Sequence, residues 1–380
     1  MVIEIRANLS PNTAKLEERD RYFTYLKGLI VTHREMNAGR PVVLMGHSMG
    51  NRCIQYFLTW IKRKEGQKWI DENIHAFLAL GAPFLGAPKA MRTAVSGDSM
   101  ELEMFLTQEE AKYMTRRSAS LPWLFPLNED MYPDVLGRLN MDEKAEEERV
   151  SSERGSGDRE KEKEKEKGGG GGGGGGERVS VGLEKVLQKG APLALQYYRS
   201  FYVTDSLFLS KRDDDECPSV FQRPPVNRLW CVYGVNLPTE VSYYFKASSR
   251  GLHLDASADK YSKKKVSIVN PRGFTISGGV AFESRDTYQP TIRETKSGDG
   301  TVPFCSLNYP SVWMKEEKER RRRKRKRMKE KGTEEREEER EREFCVLNFE
   351  IDGAEHRDML TNEGVFDVVI DLVCERPPCV

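Results

Sequence analysis

The chain has 380 residues, of which 32% are charged and 38% hydrophobic, and its formal net charge is +1 at pH 7. A charge this close to zero gives no reason to expect nucleic acid as a partner, and no apolar run reaches the ~18 residues that a membrane-spanning helix needs. The seven cysteines form no C-x-x-C pair and no metal-ligand spacing, so we expect no metal site. With two charge-rich stretches set aside, roughly 300 residues remain, which is enough for one α/β domain with a buried core.

The first predicted elements lead up to a short glycine-containing motif. Residues 2–6 predict a short strand, and apolar residues recur at helical spacing over residues 15–36. A stretch with a glycine and a proline, residues 37–41, ends that helix. The four apolar residues 42–45 then predict a buried strand of a parallel sheet.

Residues 46–50 form a G-x-S-x-G pentapeptide with Ser48 at its centre. The pentapeptide precedes residues 53–61, which have the pattern of an amphipathic helix. Strand, pentapeptide and helix in this order are typical of a nucleophile elbow, in which the glycines allow a sharp turn. The alternative is an ordinary strand-to-helix turn that contains a serine by chance. We predict that Ser48 is a nucleophile at the carboxyl end of the sheet.

Core strands alternate with less regular segments in the rest of the chain. Residues 74–81 predict the next core strand, which runs into a Gly/Pro-rich loop, and residues 91–140 mix helical and loop signals as in a cap over the site. Residues 141–180 are of low complexity and include nine consecutive glycines, so we expect a disordered insertion. Later elements are a core strand, a β-hairpin, a charged stretch whose composition supports a solvated helix, a last core strand and a closing helix, at residues 229–234, 265–284, 315–343, 346–351 and 365–374.

A serine nucleophile needs a general base that removes its proton and an acid that orients this base. In α/β-hydrolases the acid and then the histidine follow the serine along the chain. His356 lies in a loop directly after the last predicted strand, so we predict that it is the base, the alternative being an exposed loop histidine. The other four histidines precede the serine, open a core strand or lie in a predicted polar loop: His33, His47, His75 and His253.

Asp299 is the predicted acid. It lies within residues 297–303, where a glycine on each side allows a tight loop that projects a carboxylate. An Asp-Gly turn is commonly only structural, but this one follows a core strand and precedes His356, as the chain order requires. Asp352 and Asp358 are rivals, although they are so near His356 that they would share its loop.

The oxyanion formed on attack needs two backbone N–H donors. We assign one to Met49, the residue after the nucleophile at the helix N-terminus. The second should come from an early loop between a strand and a helix, but no His-Gly or Gly-Gly loop precedes residue 40. The expected fold is therefore an α/β-hydrolase fold with a mostly parallel sheet that lacks its N-terminal strands and carries disordered charged insertions.

These elements divide the chain into five predicted segments. They are a core with the elbow and the start of a cap, a low-complexity insertion, the rest of the cap with the core strand and the acid, a charged insertion, and the last core strand with the histidine loop and closing helix: residues 1–140, 141–180, 181–314, 315–343 and 344–380.

Six blocks resemble the lecithin:cholesterol acyltransferase family, which also contains phospholipid:diacylglycerol and phospholipid:sterol acyltransferases and a lysosomal phospholipase A2. The blocks are residues 16–23 with 26–27, 46–51, 81–90, 233–240, 298–303 and 355–356. The resemblance carries the family's catalytic residues onto Ser48, Asp299 and His356, which chain order also selects. In the family, further strands, a lid and an oxyanion loop lie upstream of the region matched here.

The resemblance also implies a reaction and its setting. The sn-2 acyl chain of a phospholipid donor would pass to Ser48, and then to the hydroxyl group of a sterol or diacylglycerol acceptor or to water. No cofactor is implied. Contact with a membrane surface and a location in the endoplasmic reticulum or elsewhere in the secretory pathway are expected from the resemblance alone.

Four functional hypotheses differ in what happens at this site. A lipid acyltransferase is the leading one, and a phospholipase would use the same residues but admit water to the acyl-enzyme. A chain without the family's first strands could instead bind lipid without turnover. The basic residues 320–331 could contact nucleic acid or an anionic membrane, but the mixed charges of residues 334–342 neutralise them.

Overall fold

The computed structural model describes eleven parts of the chain, at residues 2–5, 15–98, 107–126, 137–140, 178–205, 207, 222–248, 251–262, 274–283, 296–331 and 344–374. Residues 141–177, with the glycine run, and residues 332–343, with the end of the second charged stretch, lie outside these parts. The expected disorder of the low-complexity insertion therefore stays a prediction.

Five strands of the described residues form one sheet in which all neighbours are parallel. In spatial order they are β1 (Val2–Ile5), β2 (Val42–His47), β3 (Ile74–Leu80), β6 (Arg228–Val235) and β11 (Cys345–Asp352). Each of the predicted core strands is present within a residue or two of its expected bounds. The parallel sheet with helical crossovers confirms the α/β-hydrolase fold.

The inner strands owe their apolar sequences to burial on both faces, as parallel strands covered by helices do. Val42, Leu44, Phe77 and Trp230 all have no exposed surface. The edge strand β11 is half-buried over most of its length. The core thus lies around β2, β3 and β6, and the carboxyl ends of these strands form one rim.

Four helices connect β1 to β3: α1 (Leu16–Asp20), α2 (Tyr22–Met36), α3 (Met49–Glu65) and α4 (Gln67–Asn73). The prediction of one helix over residues 15–36 is wrong, because Arg21 has a φ of 50° in the left-handed region and separates α1 from α2. Glu17 stabilises this break, since its carboxylate accepts hydrogen bonds from the N–H and the hydroxyl group of Thr24.

A second sheet contains six strands within the described residues. They are β4 (Gly137–Asn140), β5 (Arg178–Val181), β7 (Thr239–Ser248), β8 (Gly251–Leu254), β9 (Thr275–Ser277) and β10 (Val280–Glu283). The antiparallel pair β9 and β10 confirms the predicted hairpin. Strand β5 begins at Arg178, inside the segment assigned to low complexity, because it pairs with the distant strand β4. The placement of His253 in a polar loop is wrong, since it lies in β8 opposite Lys246 of β7.

The remaining helices cover the two sheets. They are α5 (Pro88–Ser96), α6 (Gln108–Arg117), α7 (Leu183–Gly190), α8 (Pro192–Tyr197), α9 (Phe304–Leu307), α10 (Pro310–Lys331) and α11 (Glu363–Cys374), with a π-helix at Tyr198–Val203 and 3-10 turns at Leu121–Leu124, Ala256–Tyr261 and Asp358–Thr361. The charged stretch forms a helix as far as Lys331, so the expected disorder of this insertion is wrong over residues 315–331, and the predicted solvated helix is present there. Trp313, near the start of the helix, is buried against Phe84. In the parts of the chain described, no helix has the length and apolar character to cross a membrane.

Candidate active site

The turn between β2 and α3 has the geometry of an elbow. Ser48 joins the two elements with φ 52° and ψ −123°, a conformation that costs a non-glycine residue about 1–3 kcal/mol and persists only when its surroundings enforce it. The Ser48 N–H donates to the Leu80 carbonyl at 3.1 Å. The Asn51 side-chain amide donates to the carbonyls of Leu80 at 2.9 Å and Ser48 at 3.1 Å. The predicted strand, turn and helix are therefore present, with the turn fastened to β3.

Gly46 is needed because α3 packs closely against β2 at this residue, and not because the turn requires a left-handed backbone there. The left-handed backbone of the turn belongs to Ser48, whereas a Cβ atom at Gly46 would lie 2.7 Å from Asn51 Oδ1 and 2.9 Å from Ile54 Cδ1. Glycine here lets α3 approach β2 closely. The pentapeptide thus combines one strained residue with one close contact.

The three residues selected from chain order form a chain of hydrogen bonds in which His356 contacts both Ser48 and Asp299. His356 Nε2 is 2.9 Å from Ser48 Oγ, and His356 Nδ1 is 2.7 Å from Asp299 Oδ2. His356 is 5% exposed and Asp299 is fully buried. An ionised carboxylate only accepts hydrogen bonds, so Nδ1 carries a proton and Nε2 is left to accept from the serine hydroxyl group.

The acid loop fixes the direction of the Asp299 carboxylate. Its Oδ1 atom accepts hydrogen bonds from the N–H groups of Thr301 at 3.1 Å and Val302 at 2.8 Å, which leaves Oδ2 facing His356. The Asp299 carbonyl also accepts from the His356 N–H at 3.0 Å. The acid and the base are therefore linked through both their side chains and their backbones.

The rival acids are placed elsewhere. Asp352 is exposed and accepts a hydrogen bond from Asn236 Nδ2 at 2.6 Å. Asp358 is also exposed and begins the 3-10 turn that follows the histidine loop. Among the described residues, Asp299 is the carboxylate that meets the His356 ring.

Met49 begins α3, directly after the candidate nucleophile. The amides in the first turn of a helix have no carbonyl partner within that helix, which agrees with a donor at this position, and the assignment of the Met49 N–H to the oxyanion stays a prediction. A second donor comes, in this architecture, from the loop after a neighbouring strand. Strand β2 lies between β1 and β3; β1 ends at Ile5, and residues 6–14, which follow it, lie outside the described parts.

His47 contributes to the site although the sequence prediction left it out. Its Nε2 atom is 2.8 Å from the His356 carbonyl oxygen, and the two rings lie 5.1 Å apart. The carbonyl can only accept, so the His47 ring donates and holds the histidine loop against the elbow. Its place directly before Ser48 was the only sequence signal, and the bond depends on where the distant loop returns.

Two cysteines in the core of the parallel sheet and its helices, Cys53 and Cys231, are buried. Burial raises the pKa of the Cys53 thiol to about 12 and also raises that of Cys231, so both remain protonated and unreactive at neutral pH. Within the described ranges, no three His, Cys, Asp or Glu side chains are grouped so as to hold a metal ion.

Comparison with known proteins places this site in a family. Residues 9–156 and 185–363 match the family model described as "Lecithin:cholesterol acyltransferase". The chain belongs to the lecithin:cholesterol acyltransferase family. The match spans most of the chain and includes the elbow, the acid loop and the histidine loop.

Several relatives of this acyltransferase family member are named by their reactions. It is 27% identical to "Phospholipid--sterol O-acyltransferase" of Arabidopsis thaliana over 80% of this chain and 50% of that protein. It is 26% identical to "Phospholipid:diacylglycerol acyltransferase" of Saccharomyces cerevisiae, over 68% of this chain and 42% of that protein. A shorter match of 38% identity links 29% of this chain to 26% of "Lysosomal phospholipase A and acyltransferase" of Mus musculus.

The chain spans about half the length of the curated relatives that match it over most of its own length. Among solved structures, it is similar to a chain of "The crystal structure of Tle4-Tli4 complex", with a TM-score of 0.36 and 14% identity over 80% of this chain and 58% of that one. The fold assignment rests on the strand order and the elbow described above.

Proposed function

We propose that this family member is a lipid O-acyltransferase, which moves a fatty acyl chain from a phospholipid to the hydroxyl group of a sterol or diacylglycerol through an acyl-Ser48 intermediate. The observation that carries the proposal is the chain of hydrogen bonds from Ser48 Oγ to His356 at 2.9 Å and from His356 to Asp299 at 2.7 Å. Membership of an acyltransferase family supports acyl transfer over other serine chemistry.

In the first half-reaction, His356 Nε2 takes the proton of Ser48 as the serine oxygen attacks the ester carbonyl carbon of the phospholipid. The Met49 N–H stabilises the resulting oxyanion, and Asp299 stabilises the imidazolium. The intermediate then collapses, and the C–O bond to the lysophospholipid breaks. The departing oxygen takes the proton from His356, which leaves the acyl chain esterified to Ser48.

In the second half-reaction the acceptor hydroxyl group occupies the place of the departed alcohol. His356 Nε2 removes its proton, the oxygen attacks the acyl carbonyl, and collapse of the second oxyanion returns the proton to Ser48. Water could perform the same step, so transfer requires that the site favour an alcohol over water. The same residues therefore support a phospholipase as the second candidate function.

The names of the relatives support this choice of substrates, because they specify phospholipid donors with sterol or diacylglycerol acceptors. A phospholipid donor is met at a bilayer, so we place the chain at a membrane surface of the endomembrane or secretory system. Cys345 is disulfide-bonded, which supports a secretory compartment because disulfides persist in oxidising environments.

The test uses phospholipid vesicles that contain a labelled sn-2 acyl chain and either a sterol or diacylglycerol. The purified chain should form labelled sterol ester or triacylglycerol, and Ser48→Ala should lower the rate at least about 1000-fold, since triad members act as a unit. An equal melting temperature for Ser48→Ala serves as the control for folding.

Two other outcomes would replace the proposal. Labelled free fatty acid without either ester would identify a phospholipase. If a fluorophosphonate probe fails to label Ser48 and no product forms, the non-enzymatic hypothesis of a lipid-binding chain would stand instead.

A further inference from the structure

Glu283 ends strand β10 of the second sheet and is 2% exposed. Its Oε1 atom accepts hydrogen bonds from the Gly298 N–H and the Phe304 N–H, each at 2.8 Å. These two amides lie on either side of Asp299. One carboxylate oxygen therefore fastens both ends of the acid loop.

Thr239 holds the middle of the same loop. Its Oγ1 atom accepts a hydrogen bond from the Gly300 N–H at 2.9 Å, and the residue is fully buried. Thr239 is the register partner of Glu283 across strands β7 and β10, and side chains directly opposite in an antiparallel pair lie on the same face. The end of the second sheet thus presents two adjacent acceptors to three amides of the loop.

We propose that Glu283 and Thr239 are positioning residues that hold Asp299 in the orientation needed to accept from His356. This inference rests on the proposed function, since it assigns a role toward the same triad. Neither residue takes part in proton transfer. They act through the loop backbone, and they make the second sheet a support for the catalytic acid.

The hydrogen bonds that Glu283 and Asp299 make favour a role of Glu283 in orienting Asp299, beyond packing of the loop. A buried amide that loses its hydrogen-bond acceptor carries the full penalty of its desolvation, and Glu283 accepts from two such amides in a buried setting. Asp299 divides its oxygens between the loop amides and His356, so a shift of the loop would move the oxygen that meets the imidazole. A misplacement of about 1 Å at a catalytic group can cost about 100-fold in rate.

The chain contains a matched control at the other end of the same hairpin. Asp259 also accepts two backbone N–H groups with one carboxylate, from Gly278 at 2.9 Å and Gly279 at 3.0 Å. These glycines form the β9–β10 turn, whereas Glu283 lies at the opposite end of β10. Removing the Asp259 acceptors should perturb the sheet without touching the acid loop.

The experiment compares Glu283→Met, Glu283→Gln and Asp259→Leu in the full chain. It measures kcat and KM for a soluble short-chain ester, the rate of fluorophosphonate labelling and the melting temperature. We expect Glu283→Met to lower kcat and the labelling rate about 10- to 100-fold with little change in KM. Glu283→Gln, which keeps the Oε1 acceptor, should recover most of that loss. Asp259→Leu should retain the kcat of the wild type even if its melting temperature falls as far as that of Glu283→Met.

Thr239→Val and Thr239→Ser keep the inference testable if Glu283→Met does not fold. Valine removes the acceptor at nearly constant volume and should lower kcat about fivefold to tenfold, the worth of one hydrogen bond, whereas serine should restore it. The inference would be overturned if Glu283→Met or Thr239→Val kept the kcat of the wild type. It would also be overturned if Glu283→Met and Glu283→Gln lost kcat equally. In either case, normal labelling of the wild-type chain by the probe would leave the proposed function intact. A wild-type chain that the probe does not label would overturn both.

Discussion

Ser48 presents its hydroxyl group to His356 through a backbone that an L-residue rarely adopts. The strain is maintained by bonds from β3 and Asn51 to the turn, so the rigidity of the sheet fixes the nucleophile. His356 is fixed by Asp299 at its ring and by His47, which directly precedes Ser48, at its carbonyl. The acid loop and the elbow strand therefore hold the histidine loop together.

Replacing His47 tests this second attachment. His47→Phe keeps an aromatic ring but loses the bond to the His356 carbonyl, so we expect kcat for a soluble ester to fall about fivefold, in line with about 1 kcal/mol for one hydrogen bond. KM should change little, because His47 holds the base and not the substrate. His47→Gln, which retains a donor, is the matched control. Equal kcat values for wild type and His47→Phe would show that the bond does not position the base.

At the scale of elements, sequence patterns predicted those strands and turns whose formation depends on residues close together in the chain. Buried parallel strands are apolar along their whole length, so β2, β3 and β6 could be predicted from sequence, as could the elbow from its motif. The break at Arg21 could not, because the hydrophobic pattern continues across it and a side-chain bond from Glu17 stabilises it. The pairing of β4 with β5 could not be predicted either, since the two strands are far apart in the chain.

Helix α10 offers a pH-dependent prediction. Hydrogen bonds from Arg320, followed by those from Arg321, lower the pKa of Glu317 from 4.5 to about 2. A carboxylate whose pKa is lowered on folding stabilises the protein above its unfolded pKa, and this stabilisation is lost as the pH falls through the folded pKa. Glu317→Gln should therefore lower the free energy of unfolding at pH 7, and its difference from wild type should disappear between about pH 4.5 and pH 2.

Denaturant unfolding at a series of pH values measures this difference. Glu319→Gln is the control on the same helix. The Glu319 side chain is 69% exposed, and its Oε2 atom lies 3.6 Å from a guanidinium nitrogen of Arg323. Exposed ion pairs of this kind contribute little to the free energy of unfolding. A Glu317→Gln curve parallel to wild type at every pH would contradict the assignment.

At the scale of the whole molecule, a buried ion pair joins α5 to the second sheet. Arg92 on α5 binds both carboxylate oxygens of Glu240 at 2.7 and 2.8 Å and also contacts Asp98 at 2.5 Å. The Tyr243 hydroxyl group donates to Glu240 at 2.8 Å, and burial holds its pKa well above the usual value so that it stays a donor. Glu240 follows Thr239 directly, so this network ends beside the residues that hold the acid loop.

Removing one partner of this pair should be costly. We expect Arg92→Met to lower the free energy of unfolding by about 3–5 kcal/mol, because it leaves a buried carboxylate without its counter-charge. Arg92→Met combined with Glu240→Gln should recover part of the loss. The exposed pair Arg199 and Glu184, at 3.1 Å, is the control, and Arg199→Met should cost less than about 1 kcal/mol. Equal losses of unfolding free energy in Arg92→Met and Arg199→Met would show that the buried network stabilises the protein no more than the exposed pair does.

The overall arrangement was only partly predictable. Chain order selected His356, which lies beside Ser48, and Asp299, which lies beside His356, because the connectivity of the fold fixes which loops reach the rim. The support of the acid loop by Glu283 was not predictable, since it depends on the register of β10 against β7. A sequence pattern locates a loop, but the contacts that orient it come from strands paired across the fold.

The position of β11 in the sheet has a consequence for the timing of folding. This strand docks on β6 and brings His356 to an elbow whose serine lies 308 residues earlier in the chain. Loop-closure entropy rises by only about 0.6 kcal/mol for each doubling of loop length, so the long separation is tolerable at equilibrium, but contacts this distant in sequence form slowly. During vectorial synthesis Ser48 leaves the ribosome long before His356. The hydrogen bond between these two residues therefore forms only once β11 has docked on β6.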